Sequence, residues 1–146
     1  MRITYKSDYS LKTILNLAIH YGEEPVTIHE LAKRSDIPIK FLEQILLDLK
    51  RGGFVESRRG KVGGYLLAKH PSKIGLLEVV RFVAGPVEPI ACVDKKYRRC
   101  RDIDKCVFRD IWQKITNATE KILEEVTFED LVKKSRKSQG NFVYQI

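Results

Sequence analysis

The chain is poor in the features that mark membrane proteins, disulfide scaffolds and enzymes. None of its 146 residues belongs to an apolar run near the roughly eighteen that a membrane span requires. Residues 1–9 lack the apolar centre of a secretory leader, so the expectation is a cytoplasmic protein with no membrane partner. Cysteine is scarce: the three thiols are an odd number, none sits in a C-x-x-C pair, and they cannot close into a full set of intramolecular disulfides. No nucleophile and base pair, phosphate-binding loop or paired-acid constellation is visible, which argues against an enzyme. Internal repeats and low-complexity segments are absent as well.

Positive charge is plentiful. Lys and Arg number 27 against 19 Asp and Glu, a net charge of +8, and such an excess suits a polyanion such as DNA or RNA. The length fits one domain plus an appended element.

Apolar periodicity predicts a helix over about Tyr9 to Tyr21, with Asp8 as N-cap and Gly22 and Pro25 stopping it. Thr27 and Glu30 form a capping box for a short second helix reaching about Arg34, and Ser35, Asp36 and Pro38 break the pattern. A third helix follows from Pro38 or Ile39 to Arg51, with Phe41, Leu42, Ile45, Leu46 and Leu49 at helical spacing and Gly52 and Gly53 ending it. Two short helices around a tight break make a helix-turn-helix candidate. Residues 54–56 and 65–68, separated by a turn with Gly60, Gly63 and Gly64, read as a hairpin, hence a wing. A fourth helix is expected from Ile74 to about Gly85. Beyond a loop, Phe108, Ile111, Ile115, Ala118 and Ile122 recur every three or four residues, a heptad seam that fits another copy of the chain. Thr127 and Asp130 cap a last short helix over Leu131 and Val132, and the final dozen residues read as a tail.

The fold expected is therefore mainly α with a small β-wing. A winged helix-turn-helix DNA-binding domain spans 1–85, a cysteine loop 86–106, a long dimerisation helix with its short follower 107–132, and the tail 133–146.

In a helix-turn-helix the second helix enters the major groove, N-terminal residues toward the bases. Here Lys40 can reach a phosphate or guanine, Glu43 can accept from cytosine N4, and Gln44 can pair with adenine. Between Lys50 and His70 there are six Lys or Arg residues and Glu56 as the one acid. Arg59 at the glycine-rich tip is the candidate for a narrow minor groove. The full DNA-binding set is Thr27, Pro38, Lys40, Glu43, Gln44, Arg51, Arg58, Arg59 and Lys61; a solvated helix face and a free basic loop are the bland alternatives.

Cys92, Cys100 and Cys106 share one window with Lys95, Lys96, Arg98, Arg99, Arg101 and Lys105. Neighbouring cations favour the thiolate, the form that binds metal or reacts. An iron-sulfur cluster leads as the ligand, ahead of zinc, whose structural sites usually contain the missing close pair, and of bare redox thiols. His20, His29 and His70 read as surface or core side chains.

These pieces, in this order, resemble the Rrf2 family of bacterial winged helix-turn-helix regulators. The resemblance is carried by Phe41-Leu42-Glu43-Gln44-Ile45-Leu46, by the run from Arg59 to Ala68, by Gly85-Pro86-Val87 and by the three cysteines. It implies a homodimer joined through the long helix and a 2Fe-2S or 4Fe-4S cluster held by Cys92, Cys100 and Cys106, with DNA affinity or sequence preference that depends on cluster state; the function expected on this basis is a cluster-sensing repressor. It also implies DNA contacts at Glu43 and Arg59. Asp8 matches a position that supplies an oxygen ligand from the partner subunit in some members. Two departures stand out: the first cysteine spacing is two residues longer than usual, and Arg109 stands where other members carry a histidine ligand. Other members regulate cysteine metabolism through association with cysteine synthase. The terminal residues Gly140 to Ile146, ending in an apolar carboxy-terminal isoleucine, resemble peptides that dock into that enzyme.

Overall fold

A computed structural model of the chain describes residues 1–143, and side chains as far as residue 140. Six helices and one two-stranded sheet follow in the order α1 (Tyr5–Ile19), α2 (Ile28–Ser35), α3 (Ile39–Arg51), β1 (Val55–Arg58), β2 (Gly64–Leu67), α4 (Leu76–Ala84), α5 (Arg109–Glu124) and α6 (Phe128–Val143). The mainly α fold with its β-wing is as the sequence indicates.

The amino-terminal core forms where the apolar stripes of α1, α2 and α3 meet. Ile14, Leu31, Leu42, Ile45, Leu46 and Leu49 are essentially sealed from water, together with Phe54 and Val55 at the wing's base. Their spacing of three and four residues is what lets three short helices share one interior. The wing is an antiparallel pair with Val55 opposite Leu67 and Arg58 opposite Gly64.

Helix α1 begins earlier than the pattern suggests. Thr4, in extended backbone geometry, accepts a hydrogen bond from the Ser7 amide, so Thr4 and not Asp8 is the N-cap. Asp8 lies inside the first turn, its own amide bonded to the Thr4 carbonyl at 2.9 Å. The polar Ser7 hides the continuation from a reading based on apolar spacing, because it is buried through a hydrogen bond to the Val83 carbonyl at 3.1 Å. The capping box of α2 is present in both directions: the Thr27 hydroxyl accepts from the Glu30 amide and the Glu30 carboxylate from the Thr27 amide.

Helix α4 starts two residues later than expected. Ile74 and Gly75 are extended, with Gly75 opposite Thr127: the Ile74 carbonyl accepts from the Phe128 amide at 3.0 Å and the Leu76 amide donates to the Val126 carbonyl at 2.8 Å. The last helix is not short. The Thr127–Asp130 box launches α6, which continues through residue 143 over much of the segment read as tail. Phe128 and Val132 anchor it in the amino-terminal core. The remaining tail residues, 144–146 and so the carboxy-terminal isoleucine, lie outside the described residues. None of the described helices is long and apolar enough to cross a membrane.

Candidate nucleic-acid interface and cysteine loop

Helix α3 divides into two faces. Leu42, Ile45, Leu46 and Leu49 are buried, and Lys40, Glu43, Gln44 and Arg51 are exposed. The free face is the one available to a groove, with Pro38 fixing the entry as its N-cap. Thr27 is exposed at the start of α2. In the wing, Arg58, Arg59 and Lys61 are all exposed; Arg58 lies 3.9 Å from Glu56, a separation too long to bind it firmly. Gly60, at the tip, has a φ of +114°, a backbone that a side chain disfavours. Gly63 admits no Cβ, since one would lie 2.7 Å from the Arg58 carbonyl oxygen. The Lys50 ammonium donates to the Ser57 hydroxyl at 2.7 Å, tying α3 to β1.

One polar cluster escaped the sequence reading. Asp48, half-buried, pairs with Lys6 of α1 at 2.6 Å and accepts from the Gln44 side-chain amide at 3.0 Å. The Lys6 ammonium, and after it the Gln44 amide, hold the Asp48 carboxyl below its ordinary range, against an opposing contribution from burial. The only signal in the sequence was Gln and Asp four residues apart on one helix.

The loop of residues 85–108 holds the cysteines. All three are free and half-buried. A short 3₁₀ turn over Ala91–Val93 seats Val93 in the protein, and the Arg109 guanidinium donates to the Cys92 carbonyl at 3.0 Å. Arg109 therefore ties the loop's first cysteine to the start of α5. Cys106 borders a cleft with Lys95, Asp104, Arg109 and Asp110. Asp8 borders a different one with Arg2, Ile3, Thr4 and Tyr5, and its carboxylate is paired with Lys12 at 2.7 Å.

An iron-sulfur cluster requires thiolates that converge on its irons. Among the described residues, no three or more His, Cys, Asp or Glu side chains are gathered so as to hold a metal ion. The donor types suit such a group, but the single chain as folded does not assemble them, and Asp8 and Cys106 share no cleft. None of the histidines joins the cysteines: His20 pairs with Glu23, His70 accepts from the Ser72 amide and packs edge-on against Tyr21, and His29 is exposed.

Helix α5 is held from one side. Leu123 packs on the cluster of Leu77, Val80 and Val87, Thr116 is buried, and Arg81 pairs with Glu120. Phe108, Ile111, Ile115, Ala118 and Ile122, the whole of the expected seam, face outward; Ile122 is 66% exposed.

Comparison with known proteins agrees with this architecture. The Rrf2 family, described as an iron-dependent transcriptional regulator, matches residues 3–134. The HTH-type transcriptional regulator IscR of Xenorhabdus nematophila is 32% identical over 133 residues, covering 91% of this chain and 80% of that protein. CymR of Bacillus subtilis, the global cysteine regulator, is 28% identical over 146 residues, all of both chains, and its solved structure matches with a TM-score of 0.76 over 92% of this chain and 98% of that one. The solved structure of T. potens IscR matches with a TM-score of 0.77 and 27% identity, over 95% of this chain and 91% of that one. Homology over nearly the full length and a shared winged helix make the chain a DNA-binding transcriptional regulator rather than an enzyme, and a member of the Rrf2 family.

Proposed function

We propose that the chain binds an operator duplex as a homodimer and acts as a repressor, with the cysteine loop as its input element. The observation that carries the DNA reading is the exposed face of α3, with Lys40, Glu43 and Gln44, joined by the Lys50–Ser57 hydrogen bond to a wing that presents Arg58, Arg59 and Lys61. Phosphate contacts from the wing position the protein, and the side chains of α3 read base edges. Thr27 and Pro38 lie at the amino ends of α2 and α3, where helix amides favour a phosphate. The seam of α5 supports the dimer, because a row of isoleucines is costly to leave in water and suits a copy of itself.

For the input, the leading reading is an iron-sulfur cluster that reports iron-sulfur status, redox state or nitric oxide. Its support is the set of three free thiols in one cationic loop and the iron dependence named for the family. Since the single chain does not gather these donors, the reading requires the loop to rearrange or the partner subunit to contribute. Control of DNA binding then requires that the loop state bind the two dimer conformations unequally; proximity alone changes no affinity. Anaerobic reconstitution, with visible absorption and operator titration of both forms, is the test. Equal affinities with and without bound iron and sulfide would remove the sensing role and leave DNA binding intact.

A second reading has its own observation. The end-to-end match to CymR and the absence of a gathered metal-ligand set among the described residues favour a cluster-free regulator of sulfur metabolism. In that reading the thiols act as redox groups, and the carboxy-terminal residues dock into cysteine synthase. Removing Ile146 and measuring binding to that enzyme tests the docking.

A further inference from the structure

Gln44 is not a free side chain. Its Nε2 donates to Asp48 Oδ1 at 3.0 Å, one turn further along α3, and the other carboxylate oxygen of Asp48 is taken by the Lys6 ammonium at 2.6 Å. A carboxylate only accepts, so the amide must turn its nitrogen toward Asp48 and its oxygen away. One of the two amide protons is used. The other proton and Oε1 remain, a donor and an acceptor of the kind that adenine N7 and the N6 amino group complement in the major groove. Lys6 is itself on a fixed element: its neighbour Ser7 is buried and donates to the Val83 carbonyl at 3.1 Å.

We propose that Asp48 is a specificity-determining positioning residue: it holds the Gln44 carboxamide in the orientation that accepts adenine, with Lys6 as its anchor. A glutamine in water samples several rotamers and both amide orientations, and ordering it on binding costs affinity that a pre-set side chain keeps. Asp48 needs no contact with DNA for this, and as an anion it would be a poor neighbour to phosphate. The inference rests on Gln44 facing the bases, so its test must separate the two claims.

The full-length protein is used to select from a library of randomised duplexes, and the selected duplex and its single-base variants are titrated. Wild type prefers adenine at one position by about tenfold or more, the discrimination of a bidentate pair, and Gln44→Ala abolishes that preference. Asp48→Ala, a helix-favouring change, lowers it to about two- or threefold while binding to random-sequence duplex is undiminished, because a negative charge has gone. Asp48→Glu retains most of the preference, and Asp48→Ala combined with Gln44→Ala loses no more than Gln44→Ala alone. An adenine preference that Gln44→Ala removes and Asp48→Ala leaves intact overturns the role of Asp48 alone. A uniform loss on every duplex, with a lowered melting temperature, also overturns it, since that is what a mere tie between α1 and α3 would give. A wild type that selects no sequence overturns the base-facing reading of α3 as well.

Discussion

Val26 and Tyr65 exchange both backbone hydrogen bonds, the Val26 amide reaching the Tyr65 carbonyl at 2.9 Å and the Tyr65 amide reaching the Val26 carbonyl at 2.8 Å. The residue before the α2 cap is thereby stitched to the second residue of β2, opposite Ser57, and the wing is fastened to the helix-turn-helix near the turn end of its strands. Gly64 makes this approach possible. A Cβ there would lie 2.5 Å from the Val26 carbonyl oxygen, which is backbone and cannot swing aside. Gly64→Ala is expected to destabilise the protein by about 1–3 kcal/mol, the usual range for overpacking, and to weaken DNA binding through a displaced wing. Urea unfolding and duplex titration measure the two effects.

The wing and α3 should fail in different ways. Arg59→Ala is expected to weaken binding to all duplexes by a similar factor and to reduce the slope of log affinity against log salt by about one, as loss of a phosphate contact does. Glu43→Ala is expected to relax the choice of one base while leaving the salt slope unchanged. Titrations at several salt concentrations, on selected and random duplexes, distinguish these outcomes.

The outward seam of α5 predicts a separation of assembly from folding. Ile111 is 49% and Ile115 44% exposed, so the change Ile115→Glu removes little from the interior of the single chain. Sedimentation should show the variant as a monomer with unchanged helical circular dichroism. Operator affinity should fall by orders of magnitude, because two linked reading heads gain from effective concentration. A variant that stays dimeric would place the contact elsewhere.

Acid should loosen the two capping boxes. The Thr27 amide, followed by the Thr27 hydroxyl, holds the Glu30 carboxyl below its ordinary range, and Thr127 does the same to Asp130. A carboxylate depressed in the folded state contributes stability above its unfolded pKa, and that contribution is lost as pH falls through the folded value. Melting temperature is therefore expected to drop on acidification through and below the ordinary carboxylate range. Glu30→Gln and Asp130→Asn, which remove the titrating carboxyls and are each lower at neutral pH, should show a shallower drop. Parallel curves for wild type and variants would remove the caps from the acid response.

Local chemistry made much of this molecule legible before any coordinates. Thr27 with Glu30, Thr127 with Asp130, the apolar spacing from Leu42 to Leu49 and the glycines of the wing act over a few residues, so linear order is enough to specify α2, α3, the hairpin and the start of α6. The seam of α5 was equally readable, because a stripe of isoleucines keeps its period whether or not anything covers it. Where the pattern misled, a distant partner was responsible. Ser7 extends α1 backward because Val83 offers it a buried acceptor, Ile74 stays extended because residues 126–128 pair with it, and α6 persists because Phe128 and Val132 find room in the amino-terminal core.

The candidate site divides along the same line. Sequence alone put Lys40, Glu43, Gln44 and the arginines of the wing on accessible elements, since amphipathic spacing dictates which side of a helix meets water. Spacing within the chain could not say that Lys6 reaches Asp48, that Arg109 grips the Cys92 carbonyl, or that Asp8 is paired with Lys12 and set in a cleft apart from Cys106. Such pairings depend on how α1 lies across α3 and how the loop turns onto α5. Packing of side chains remote in the chain fixes those angles, and no local preference encodes them.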